Sequence, residues 1–181
     1  MNKIAAQQFA AMSAPMLRLT EARYLFDQFK SARNAEPNQG LFLLTVYFDA
    51  FLFCFISIEE MVDTATRDKL RAIPSFTFFK ALRNIATHHS VLSGVKGKFA
   101  RPISRIVSVG VGCNVEFSEQ FFLLPEKLRA IFDAVLQERP GEKRTIEAAR
   151  SYLSQLENTG KQIMLVDLTQ AVVSEVEPHV A

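Results

Sequence analysis

The chain has 181 residues, nearly half of them apolar, and a net charge of only +2, so one domain with a substantial core is expected and charge matters through its distribution. Cys54 and Cys113 are the only cysteines and lie far apart in sequence, so neither a disulfide framework nor a cysteine zinc site can be read, and a reducing cytoplasm fits best. The first residues carry one lysine, Lys3, then Gln7, Gln8 and Ser13, a poor hydrophobic run for a secretory signal, so export is not expected.

Residues 17–32 place Leu17, Leu19, Ala22, Leu25, Phe26 and Phe29 at helical spacing and predict an amphipathic helix. Glu36-Pro37-Asn38 and Gly40 predict a loop over 34–40. Residues 41–58 read LFLLTVYFDAFLFCFISI, with Asp49 as the only charged residue, a length at the lower bound for a membrane span. A carboxylate near the middle of a span costs about 2.5–3.5 kcal/mol, and no second span follows. The segment is therefore read as a central helix buried on nearly all sides in a bundle or a dimer, in preference to a membrane span. It is expected to continue through Glu59 and Glu60 to about Leu70, with Asp49, Ser57 and Glu60 or Asp63 forming one polar stripe.

Pro74 starts a helix whose apolar face is Phe76, Phe79, Leu82 and Ala86, and which should stop near His88, His89 and Ser90 because Gly94, Gly97 and Pro102 follow. The Ile- and Val-rich run 103–117, interrupted by Gly110 and Gly112, predicts a short β-hairpin or extended insertion near 95–117. Its Val-Gly-Val-Gly sequence lacks the third glycine and the preceding βαβ pattern of a dinucleotide loop. Ser118-Glu119 and Pro125-Glu126 mark helix starts, and Leu128, Ile131, Phe132, Val135 and Leu136 give a helical face ending at Arg139-Pro140-Gly141. A helix over 142–157 follows. Gly160 then precedes a last apolar helix over 161–176, which caps the bundle or pairs two subunits. The fold class is all-α, a bundle of about five to six helices with that short insertion.

The stretch with chemical content is Arg83-Asn84-Ile85-Ala86-Thr87-His88. Cleaving RNA without a metal needs a group near neutral pKa to take the 2′-hydroxyl proton and a fixed cation to stabilise the phosphate oxygens. His88 and Arg83 supply these groups. Asn84, four residues before His88, would fix the imidazole tautomer or contact a phosphate oxygen. Arg83 and His88 fall on different sides of a helix unless it ends between them, so one copy makes a poor site and two copies around a two-fold axis a better one. The motif lies in a region, 69–115, with no Asp or Glu and with Lys69, Arg71, Lys80, Arg83, Lys96, Lys98, Arg101 and Arg105. Such a region draws a polyanion, or its cations pair with Glu59, Glu60, Asp63 and Asp68. Lys96, Lys98, Arg101 and Arg105 either line a cleft with Phe99 stacking on a base, or belong to a solvated loop that Phe99 anchors.

The Arg-Asn-x3-His pattern, with His89 directly after it, resembles the HEPN superfamily. That resemblance implies an all-α bundle over about 17–136, with the helices of 142–176 added, and a metal-independent endoribonuclease of the toxin or phage-defence sort, acting as a homodimer. It further implies Arg83, Asn84 and His88 as catalytic residues, His89 as a spare acid or phosphate contact, and products ending in 2′,3′-cyclic phosphate; the charge distribution adds Lys80, Lys96, Lys98, Arg101 and Arg105 as RNA contacts. Family members that act as toxins sit beside a neutralising, antitoxin partner protein. The alternative is a non-catalytic dimeric module of the same fold that binds RNA, a nucleotide or a protein. No cofactor or metal is expected, since His179 is the only other histidine and no helix bears two carboxylates and a His at ligand spacing. No serine stands in a nucleophile-elbow sequence.

Overall fold

The computed structural model describes residues 11–32, 37–86, 95–99 and 117–181, and over them the chain is a helical bundle with one two-stranded antiparallel ladder. Helix α1 (Ala14–Ser31) starts where Ser13 Oγ accepts from Met16 N at 3.4 Å and Pro15 occupies the first turn. It buries Leu19, Ala22, Phe26 and Phe29, the face predicted from spacing. Helix α2 (Pro37–Ile56) begins earlier than expected: residues 37–40 are helical, Pro37 being well suited to a first helical position. Only Asn34, Ala35 and Glu36 of the anticipated loop lie outside the described residues.

Helices α1 and α2 pack along each other, and their phenylalanines interlock with those of α5 (Pro74–Ala86). Phe26, Phe29, Phe48, Phe51, Phe55, Phe76 and Phe79 form a continuous set of ring contacts with centroids 5.2–6.3 Å apart. Offset and edge-on rings add about 0.5–1.5 kcal/mol per pair beyond their burial, so this set stabilises the core by more than its apolar area. One face of α2 nevertheless points outward. Phe42 and Phe53 are 67% and 42% exposed, so a single chain does not bury the helix on nearly all sides. By length and composition alone, Phe42–Met61 is apolar enough to cross a membrane, and half of that window is buried.

The expected continuation to Leu70 is broken twice. The chain turns at Ser57, whose Oγ donates to Cys54 O at 2.8 Å, then makes a single turn of helix α3 (Ile58–Met61). Val62 is extended (φ −100°, ψ 160°), and Asp63 caps helix α4 (Thr64–Ala72) by accepting from Thr66 N at 2.7 Å. Arg67 fills the notch between them: its Nε donates to Glu59 O at 3.0 Å and its Nη2 to Val62 O at 3.4 Å. Carbonyls freed by the break are thereby satisfied, which a straight helix would not require. The described residues consequently hold more helical segments than five to six.

Strand β1 (Val95–Phe99) pairs antiparallel with β2 (Phe117–Leu123), in a register that sets Val95 opposite Leu123 and Phe99 opposite Phe117. The non-helical insertion is real at both ends, while residues 100–116 lie outside the described ones. Ser118 and Glu119, expected to start a helix, sit in β2; the aromatic run Phe117 to Leu123 favours a strand over their capping signal. Helix α6 (Pro125–Glu138) does start at Pro125, and a 3₁₀ turn (Pro140–Glu142) leads into α7 (Lys143–Glu157). Gly160 adopts φ 66°, the left-handed conformation that favours glycine, before Met164 bridges back to Phe122 and α8 (Leu165–Val180) begins. Helix α8 buries Leu165, Leu168, Thr169, Val172, Val173, Val176 and Val180, and its apolar residues join the same cluster as those of α1, α2 and α5, so its apolar side closes the bundle.

Candidate functional site

Three helices converge on one buried carboxylate. Glu59, in the single turn α3, is 4% exposed and is held by Lys80 Nζ of α5 at 2.6 Å and by the Arg71 guanidinium of α4. Burial pushes the Glu59 carboxyl up, but hydrogen bonds and charge from Lys80 and Arg71 outweigh it and hold the group below the usual carboxylate range. Around this centre lies a pocket of about 250 Å³, walled by Ile56, Glu59, Glu60 and four cations, Arg67, Arg71, Lys80 and Arg83.

Arg83 stands on the last turn of α5, with its Cζ 5.6 Å from the Phe53 ring centroid, so the guanidinium lies over an aromatic face. Its Nη1 donates to Asn84 Oδ1 at 3.2 Å, and Asn84 Nδ2 donates to Glu142 Oε2 at 2.6 Å, tying α5 to the 3₁₀ turn. The buried Nε of Arg83 has no acceptor among the described residues. Among the described residues no carboxylate pairs with Arg83 or with Arg67, whose acceptors are backbone oxygens. The wall therefore holds four cations against two carboxylates, and two of those cations keep their charge uncompensated by a direct partner. Such a wall attracts an anion, and a planar guanidinium matches carboxylate or phosphate oxygens two at a time.

Of the residues the sequence pointed to, Arg83 lines this pocket and Lys80 lines it as the partner of Glu59. Asn84 braces Arg83 and reaches Glu142. Lys96 and Lys98 fall on β1. His88, His89, Arg101 and Arg105 lie outside the described residues. Arg67 and Arg71 were not anticipated as site residues. Their four-residue spacing puts both on one side of α4, a signal hidden by reading α2 to α4 as one rod.

No family model, curated protein or solved structure matches this chain. The site must speak through its own chemistry.

A second concavity, about 960 Å³, runs between α1 and α2 and is apolar in character, with Tyr24, Leu25, Ala50, Phe53 and Cys54 along it and Arg18 and Glu21 at its rim. Arg18 and Glu21 pair with each other at 2.8 Å. Burial raises the Cys54 thiol above its ordinary pKa despite the nearby Arg18, which keeps it a neutral thiol and a poor nucleophile. Asp49, on the same helix, has its Oδ1 buried without a partner among the described residues, and desolvation pushes its carboxyl up to about 6. Among the described residues no group of three or more His, Cys, Asp and Glu could hold a metal ion.

Proposed function

We propose that this chain binds RNA at the Arg83 pocket and cleaves it without a metal, with His88 as the base that takes the 2′-hydroxyl proton. The observation that carries this reading is the Arg83 guanidinium itself. It is braced by Asn84 and Phe53, has no carboxylate partner among the described residues, and stands five positions before His88. A cation fixed in advance by neutral contacts stabilises charge growing on phosphate oxygens without first having to reorganise. Attack of the 2′-oxygen on phosphorus, with loss of the 5′-oxygen, leaves a 2′,3′-cyclic phosphate and a 5′-hydroxyl. Two copies, each contributing one Arg83 and one His88, would complete the acid and base pair.

A non-catalytic RNA-binding module is the second reading, and one observation favours it: Glu59, the buried carboxylate at the centre of the pocket, is held ionised and accepts no proton at neutral pH. The pocket by itself binds and does not transfer protons. Incubating end-labelled RNA in EDTA with the protein and with its Arg83→Ala and His88→Ala variants separates the two. Cleavage to cyclic-phosphate ends, abolished in both variants, is the expected result. Binding lost in Arg83→Ala without any cleavage by the parent protein would select the module.

A further inference from the structure

We infer that the Arg67–Arg83 pocket takes a terminal phosphate of RNA, a phosphomonoester at a chain end, in preference to an internal phosphodiester. This rests on the reading that RNA is the ligand and follows its non-catalytic form, because an Arg83 that holds a terminal monoester is not holding a scissile diester.

Size is the first ground. A volume of about 250 Å³ falls below the range of about 300–1,000 Å³ that whole small-molecule ligands occupy, so the pocket admits a group and leaves the remainder of its bearer outside. Charge is the second. Arg67, Arg71, Lys80 and Arg83 face Glu59 and Glu60, a formal excess of two positive charges. A monoester carries about −1.5 to −2 at neutral pH, whereas an internal phosphodiester carries a single charge. The monoester therefore matches the wall, and the diester leaves one cation uncompensated.

The division of labour among the cations is the third ground. Glu59 engages both Arg71 and Lys80, so these two build the wall and share one carboxylate between them, which leaves a single net positive charge on the three. Arg67 is pinned through Nε and Nη2 by the carbonyls of Glu59 and Val62, which leaves Nη1 as its uncommitted nitrogen. Arg83 is pinned by the Phe53 ring and by Asn84, and its buried Nε has no acceptor among the described residues. Both guanidinium groups are thus held in place by neutral contacts before any ligand arrives, the arrangement that minimises ordering on binding. An anion entering between them relieves the charge of both, whether or not it touches the buried Nε.

The test is competition at fixed salt. A fluorescent RNA bound to the wild-type protein is displaced by unlabelled oligonucleotides of one sequence that carry a 5′-phosphate, a 3′-phosphate or hydroxyl groups at both ends. The 2′-hydroxyls are methylated, so that nothing is cleaved. One phosphorylated end is expected to compete about tenfold better than the hydroxyl form, roughly the worth of one added charge-assisted contact. That advantage should vanish in Arg67→Gln and in Arg83→Gln, each checked for an unchanged circular dichroism spectrum. Equal competition by all three oligonucleotides would overturn the end preference and leave RNA binding standing. An advantage that survives both substitutions would overturn the assignment to this pocket. Protection of the fold by inorganic phosphate with no binding of any RNA would overturn the RNA reading instead, and these results are distinguishable in one set of titrations. The wild-type comparison decides the end preference even where a variant fails to fold.

Discussion

Two carboxylates ten positions apart in the same apolar stretch meet opposite fates. Glu59 is nearly inaccessible yet lies below the ordinary carboxylate range because Lys80 and Arg71 reach it. Asp49 is less buried, yet its carboxyl is pushed up to about 6 because nothing in the bundle answers it. Depth of burial alone does not decide the state of a charge; the supply of partners does. The break at Ser57 and Val62 is what creates that supply, since it swings α4 back so that Arg71 and Arg67 share a wall with Lys80 and Arg83.

The sharpest way to break the contrast is Glu59→Leu. It leaves Lys80 and Arg71 without their shared carboxylate, and a loss of about 3 kcal/mol is expected at neutral pH, read from the midpoint of urea unfolding. A variant as stable as the parent would mean that the pair is merely tolerated.

Asp49→Asn should do the reverse. Because the folded-state pKa of Asp49 lies above its unfolded value, the ionised group destabilises the fold at pH 8. The penalty lifts as pH falls through about 6, and it is gone below the unfolded pKa of about 4. The amide should therefore stabilise by about 2 kcal/mol at pH 8 and by nothing measurable at pH 4. Glu59 has the opposite sign: its folded pKa is lowered, so its contribution is complete above the unfolded value and is lost as pH falls through the folded one. The two together predict a wild-type stability that rises between pH 8 and about 5 and then falls in stronger acid, measurable by thermal unfolding across a buffer series. A monotonic fall from pH 8 downwards would contradict the assignment for Asp49.

Smaller effects come from the braces of Arg83. Asn84→Ala removes the link between Arg83 and Glu142 and is expected to cost about 1 kcal/mol in unfolding experiments. Phe53→Leu keeps an apolar side chain but loses the aromatic face beneath the guanidinium, worth about 0.5–1 kcal/mol, and should weaken phosphate binding a few-fold with little change in melting temperature.

The helical class, the Phe-built core and the faces of α1, α5 and α6 were legible because apolar spacing reports burial directly. The strand at 117–123 was misread where Ser118 and Glu119 imitate a helix start, and local capping signals yield to a ladder partner twenty residues upstream. Arg83 and Lys80 could be picked out of the acid-free region, and Glu59 was among the carboxylates expected to pair with its cations, but that it would hold Lys80 and Arg71 together could not be read. That arrangement depends on a break whose only local sign is Asp63 followed by Thr64 and Thr66. Arg67 sits outside the acid-free run, next to Asp68, and so drew no notice although it lines the pocket.

The notch that Arg67 fills also acts as a length gauge. Adding or removing one residue between Ser57 and Asp63 would turn α4 by about 100° relative to the bundle, carrying Arg67 and Arg71 off the wall while the phenylalanine core stayed intact. The turn at 158–161, which only joins α7 to α8, has no such duty, and open space surrounds Gly160. Descendants of this chain can vary the second connection in length, but those that keep the pocket must conserve the count of residues in the first.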